Sequence, residues 1–216
     1  MRIFLIDNRD SFTYNLAHAF QELSTQVTTV PVSDLAKHLD SIDNLLDEKP
    51  ERTDLLICIG PGPRAPDAFP ALTALIQRYA GKVPIFGVCL GMQALAEAYD
   101  GRLALASQPL HGKTCHVRHD GAGMFDGLPS PMRAMRYNSI VVKDVPSVFH
   151  VKATDADGQI MAMEHSSRKL SGVQFHPESI GTEGGLVLLR NVLATAGFDG
   201  PHATHRVGGI PPPRAT

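Results

Sequence analysis

Apolar residues in the N-terminal part of the chain come in short continuous runs separated by stretches with helical spacing. Ile3 to Ile6 is the first run, and such unbroken apolarity predicts a parallel strand covered on both faces. Phe12, Leu16, Phe20 and Leu23 then recur at close to helical spacing, with Asp10 or Ser11 as the candidate N-cap. Val27 to Val32, Leu55 to Ile59 and Val83 to Val88 read as three further strands. Between the last two, Ala71 to Tyr79 reads as a helix ended near Gly81. Strand and helix alternate, which predicts an open α/β sheet built from right-handed crossovers and flanked by helices. In such sheets ligands gather beyond the carboxyl ends of the strands. Asp7, Gly60 and Cys89 all lie just past predicted strand ends, so three distant segments are expected to converge on one edge.

From about Gly101 to Glu178 the pattern changes to shorter alternating and β-branched runs, such as Ser139 to Lys143, separated by Asp-Gly and proline turns. This predicts a smaller antiparallel β portion that returns to the main sheet through Val173 to Phe175. Gly184 to Ala194 reads as a last helix with Leu186, Leu189 and either Val192 or Leu193 facing inward. Residues 1–197 are expected to form one domain. The remainder, 198–216, carries Pro211-Pro212-Pro213 and is expected to be a mobile C-terminal tail.

The length of 216 residues, with 43% hydrophobic content, suits one α/β domain with a substantial core. A formal charge of −2 gives no electrostatic case for nucleic acid or an anionic membrane as partner. The three cysteines, Cys58, Cys89 and Cys115, are widely spaced with no C-x-x-C pair, which argues against a disulfide framework or a zinc site. Met1-Arg2 leads straight into the first apolar run, without a long apolar leader or membrane-spanning stretch. A soluble, unprocessed, cytoplasmic protein is expected.

Gly87-Val88-Cys89-Leu90-Gly91 follows the apolar run ending at Phe86 and opens the helix-like Met92 to Ala96. A reactive side chain between glycines, at a strand-to-helix turn, is a nucleophile elbow with cysteine in place of serine. The helix N-terminus favours negative charge there, which suits a thiolate nucleophile. A lone cysteine is more often small buried filler. What shifts the balance is Val173-Gln174-Phe175-His176-Pro177-Glu178-Ser179, in which Pro177 forces His176 into an extended or turn conformation at a strand end. Glu178 can reach the same imidazole. Cysteine, histidine and carboxylate together make a triad in which the ring takes the thiol proton and the acid orients the ring. His116, His119 and Asp120 superficially suggest a metal site, but surface histidines near an Asp-Gly turn are the simpler explanation, and neither metal nor cofactor is expected.

These segments resemble the class I glutamine amidotransferases, and most closely the glutaminase subunits of anthranilate synthase and aminodeoxychorismate synthase. The resemblance rests on six ordered motifs: Asp7 to Leu16, Gly60-Pro61-Gly62, the elbow, His111 to Thr114, Arg136 to Ile140 and Gly172 to Ser179. It implies a flavodoxin-like fold in which Cys89, His176 and Glu178 are catalytic. It also implies that the Leu90 backbone N–H and one from the Gly60-Pro61-Gly62 loop form the oxyanion hole. Only glycine combines dihedral freedom with close backbone approach, so Gly60 is the first choice of donor and Gly62 the substrate-lining residue. The backbone of Ser139 and Ile140 is implied to bind the substrate α-carboxylate. Gln93 is implied to contact the substrate, although spacing alone equally allows a solvent-facing glutamine. Asp10, Ser11, His111 and Lys113 are implied on the partner-facing side. Asp10 and Ser11 are equally explained as a helix cap, and His111 to Lys113 as a polar turn.

Two departures from the family pattern stand out. Asn138 takes a position usually held by histidine, and Gly60 to Pro66 differs from the usual Pro-Gly-Pro-Gly loop. A gapless alignment from Cys89 puts Arg64 where glycine is expected; a shifted one, which matches Gly60-Pro61-Gly62 directly, is preferred. The implied function is hydrolysis of L-glutamine, with ammonia delivered to a separate chorismate-using synthase that stimulates the glutaminase. Tryptophan or folate biosynthesis follows from that. Two other readings remain open on the residues: a non-catalytic regulatory or binding module that keeps the fold, and a cysteine hydrolase of another amide.

Overall fold

The computed structural model describes residues 1–48, 54–106, 109 and 111–198. The first apolar run forms β1 (Arg2–Asp7), which pairs in parallel with β2 (Gln26–Pro31) on one side and β3 (Leu55–Ile59) on the other. Beyond β3 lie β4 (Ile85–Val88) and then β11 (Leu170–Val173), both also parallel. The same sheet continues antiparallel through β10 (Ile160–His165), β9 (Phe149–Asp155), β6 (Lys113–His119) and β7 (Met132–Arg136). The antiparallel part is thus an extension of the main sheet. A separate two-stranded antiparallel sheet joins β5 (Arg102–Leu105) to β8 (Ile140–Asp144).

Alternation of side chains along each strand divides the core into two layers. Ile3, Leu5, Leu56 and Cys58 face α1 (Thr13–Glu22) and α5 (Gly185–Ala196). Phe4, Ile6, Ile57 and Ile59 face α2 (Leu35–Glu48), α3 (Pro70–Tyr79) and α4 (Leu90–Glu97). Sequence reading leaves α2 unassigned, although Leu35, Leu39, Ile42 and Leu46 follow helical spacing on its inner side.

Several local expectations are corrected. Neither Asp10 nor Ser11 is the N-cap of α1; that position is Phe12, whose N–H is held at 2.8 Å by Asp10 Oδ1 in a turn one step earlier. Strand β4 starts at Ile85 because Pro84 supplies no N–H, with Val83 left in an isolated bridge to Ala80. The strand of the return is Leu170–Val173; it ends before the bends at Gln174 and Phe175, although the Gln174 N–H still donates to Met161 O of β10 at 2.9 Å. In α5, Leu186 is exposed and Leu188 takes the inward place beside Leu189, Val192 and Leu193. Phe198, the first residue of the expected tail, packs on the core, and 199–216 lie outside the described residues. Among the described residues no helix is long and apolar enough to cross a membrane.

Candidate active site

Cys89 sits between β4 and α4 with φ 54° and ψ −105°, an unusual backbone for a residue with a side chain. The elbow glycines therefore do not carry the left-handed turn; they provide space. A Cβ on Gly87 would strike the backbone of Gly91, and one on Gly91 would strike the Ile59 carbonyl, so strand and helix approach each other through bare backbone. The Cys89 N–H donates to Val173 O at 2.8 Å. This bond ties the elbow to β11, the strand that leads to His176.

His176 is buried, with its backbone N–H donating to Met135 O at 3.0 Å and its carbonyl accepting from the Thr182 hydroxyl at 2.6 Å. Its Nδ1 lies 2.7 Å from Glu178 Oε1, and the Glu178 side chain is wholly buried. The Nε2 has no hydrogen-bond partner of good geometry among the described residues. Burial disfavours the imidazolium, but the Cys89 sulfur, the Glu178 hydrogen bond and the two negative charges outweigh it and push the pKa from 6.5 up to about 10. A pKa raised on folding stabilises the fold fully below pH 6.5, and the contribution is lost as pH climbs toward 10. Chemical-shift titration of His176 is expected to give a high midpoint in the native chain and a lower one in Cys89→Ala, where the sulfur's share is gone. Equal midpoints would show that Glu178 acts alone.

Cys89 and His176 line one cavity of about 510 Å³ with Asp10, Ser11, Gly62, Gln93, His111, Asn138, Ser139 and Ile140. The segments that follow β1, β3 and β4 all reach this cavity, through Asp10 to Phe12, Gly62 to Arg64 and Cys89, although Asp7 and Gly60 themselves do not line it. Glu178 stands behind His176, and Leu90, buried, opens α4 beside the thiol. Lys113 is exposed at the start of β6 and does not line the cavity. The N–H of Gly60, the expected oxyanion donor, is already engaged: it donates to Ile6 O at 3.0 Å, and the Gly60 carbonyl accepts from Asn8 Nδ2 at 2.8 Å. Gly62 and Arg64 lie on the cavity wall instead.

Gln174 is the residue that sequence reading overlooks. Its Nε2 is 3.6 Å from Cys89 Sγ, and its Oε1 accepts from Gln93 Nε2 at 3.1 Å. Its place two residues before His176 is the available signal, because alternate residues of an extended segment share a face. Gln93 also donates to Ile140 O at 2.9 Å, so its inward orientation is set by the protein itself. Asn138 donates to Ile140 O at 2.8 Å and accepts from Arg136 Nε at 3.0 Å. The side chain that departs from the family pattern therefore braces the segment carrying Ser139 and Ile140.

Burial disfavours the thiolate at the other two cysteines. Burial and the Glu178 charge push Cys58 well above the ordinary range, and burial raises Cys115 despite the nearby Arg136. His119 stacks on Phe125 and contacts Pro129 O, while Asp120 pairs with Lys152, which gives the histidine-rich turn structural partners.

Residues 4–196 match the family model for glutamine amidotransferase class-I. The chain belongs to the class-I glutamine amidotransferase family. It is 43% identical over 195 residues to aminodeoxychorismate/anthranilate synthase component 2 of Bacillus subtilis, covering 89% of this chain and 96% of the relative. It is 45% identical over 193 residues to aminodeoxychorismate synthase component 2 of Escherichia coli, covering 88% and 98%. Among solved structures, a glutamine amidotransferase from Thermotoga maritima superposes with a TM-score of 0.66 at 16% identity, over 92% of this chain and 99% of that one, a likeness of fold.

Proposed function

We propose that this class-I amidotransferase is the glutaminase subunit of a chorismate-using synthase, hydrolysing L-glutamine and passing ammonia to a separate partner chain. The observation that carries the reading is Cys89 and His176 on one cavity wall, with Glu178 bonded to the far side of the imidazole. The Cys89 thiolate attacks the side-chain amide carbon of glutamine, and the C=O π electrons move to oxygen. The tetrahedral centre collapses, His176 gives its proton to the departing nitrogen, and ammonia leaves a glutamyl thioester. Water, deprotonated by His176, attacks the thioester carbon; the C–S bond breaks and releases glutamate. Both tetrahedral centres place charge on the former amide oxygen, which accepts from the N–H groups of Leu90 and Gly62. Loss of one such donor costs about 3 kcal/mol of barrier. Ser139 and Ile140 receive the α-carboxylate through their backbone, and Gln93 positions the amino-acid end of the substrate. No metal or cofactor enters this half-reaction.

Residues 1–197 act as the glutaminase domain in this reading. The synthase docks on the side of the cavity that carries Asp10, Ser11, His111 and Lys113. The names of the two relatives, component 2 of the aminodeoxychorismate and anthranilate synthases, support a partner that uses chorismate. The reading places the complex in the cytoplasm, where the three free cysteines stay reduced.

The test is incubation with an electrophilic glutamine analogue, followed by peptide mass spectrometry, with glutamate release measured from glutamine and asparagine in the presence of the partner. A single adduct at Cys89 and a strong preference for glutamine are expected. Absence of the adduct would favour a non-catalytic module, and equal turnover of asparagine a broader amide hydrolase.

A further inference from the structure

The imidazole of His176 is fixed at one nitrogen only. Glu178 holds Nδ1 at 2.7 Å, whereas Nε2 is buried without a hydrogen-bond partner among the described residues. In the proposed reaction Nε2 faces the sulfur, the leaving group and water in turn, so no permanent partner outside the reacting groups can occupy it. A second hydrogen bond therefore cannot steady the ring, and packing has to do so.

Two aromatic rings are placed for it. Tyr137 lies 4.9 Å from His176, centroid to centroid, with the ring planes at 86°. Phe12 lies 5.5 Å away at 67°, and the Phe12 and Tyr137 rings stack on each other at 4.6 Å and 28°. Both are half-buried and line the cavity of Cys89. They come from distant parts of the sequence: Phe12 precedes α1, and Tyr137 follows β7. His111 meets Tyr137 at 5.4 Å and 77°, completing a chain of ring contacts from His176 to the exposed His111 just before β6. What Tyr137 presents to His176 and Phe12 is its ring. Perpendicular and offset-stacked contacts of this kind have preferred geometries, and a three-ring cluster restricts rotation of each member.

We propose that Tyr137 is a positioning residue for His176, its ring stacked on Phe12 and set against the imidazole so that Nε2 stays directed at the Cys89 sulfur. This rests on the glutaminase reading of the site. An aliphatic residue at 137 fills part of the same space but leaves the imidazole free to swing about its bond to Cβ. A displacement of the reacting nitrogen by a fraction of an ångström lowers the rate without changing how glutamine binds.

The experiment uses the full chain with its synthase partner and compares Tyr137→Phe, Tyr137→Leu and Phe12→Leu. Tyr137→Phe is expected to match the native kcat. Tyr137→Leu is expected to lower kcat for glutamate release by about tenfold to a hundredfold, with KM within about twofold. The pH profile for alkylation of Cys89 by iodoacetamide, measured without glutamine, is expected to shift in Tyr137→Leu and not in Tyr137→Phe. Phe12→Leu should reproduce the Leu pattern in milder form, and it carries the test if Tyr137→Leu does not fold. A Leu variant with native kcat and an unmoved alkylation profile overturns the proposal. So does a loss confined to KM, which would make Tyr137 a substrate contact, or a Phe variant as impaired as Leu, which would assign the role to the hydroxyl. If the native chain released no glutamate, the glutaminase reading would fail, while the alkylation profiles would still report whether Tyr137 controls His176.

Discussion

Cys89→Ala is expected to lower glutamine-dependent glutamate release by roughly five orders of magnitude or more, the scale on which removal of a nucleophile acts. The remaining groups cannot compensate, because His176 Nε2 would then face a methyl group and no thioester could form. The same variant is expected to leave the partner synthase fully active with added ammonium. Ammonia generation depends on the thiol, while the surface around the cavity is untouched. The substitution is also mild for the fold: alanine occupies φ 54° at no greater cost than cysteine, and the side chain removed is small and already confined at the elbow. Activity with glutamine and with ammonium, assayed on one preparation of the complex, separates the two halves of the function. Collapse of the ammonium-dependent reaction as well would give Cys89 a structural part in holding β4 against β11.

Much of this arrangement is legible before any coordinates. Continuous apolar runs identify β1 and β3 because both strands are covered on two faces, and the elbow announces itself by glycines that strand and helix need for clearance. What escapes is whatever depends on a partner far along the chain. Gly60 and Gly62 look alike as oxyanion donors; only the pairing of Gly60 with the Ile6 carbonyl, across adjacent strands, distinguishes them. The cap of α1 misleads for a nearer reason: Asp10 does bond a backbone N–H, but at Phe12, one step before helical geometry begins. Phe12, Tyr137 and His176 carry no joint signature in sequence, because three separate elements deliver them.

Arg136→Met is expected to destabilise the chain by about 3 to 5 kcal/mol, the usual cost of removing one partner from a buried ion pair. Arg136 is 1% exposed, its Nη1 donates to Asp155 at 2.7 Å, and Asp155 is itself 5% exposed at the side chain. Take away the guanidinium and a carboxylate is left in the interior, answered only by the N–H groups of Asp157 and Gln159, which bond its other oxygen. Nη2 of Arg136 also donates to Gln159 at 3.1 Å, and Nε to Asn138 at 3.0 Å, so one side chain ties β9, its following turn and the segment after β7 together. The site therefore suffers with the fold. Asn138 loses its anchor, and through it the Ile140 carbonyl and the backbone that receives the substrate carboxylate in the proposed mechanism. Urea unfolding should show a lower midpoint with little change in slope, and the surviving folded fraction should show a raised KM for glutamine. The double replacement Arg136→Met with Asp155→Leu is expected to recover part of the stability, since no charge is then left buried, but not the KM, because Asn138 remains unanchored. Recovery of both would mean that the ion pair, and not the arginine's bond to Asn138, sets the shape of the substrate-binding segment.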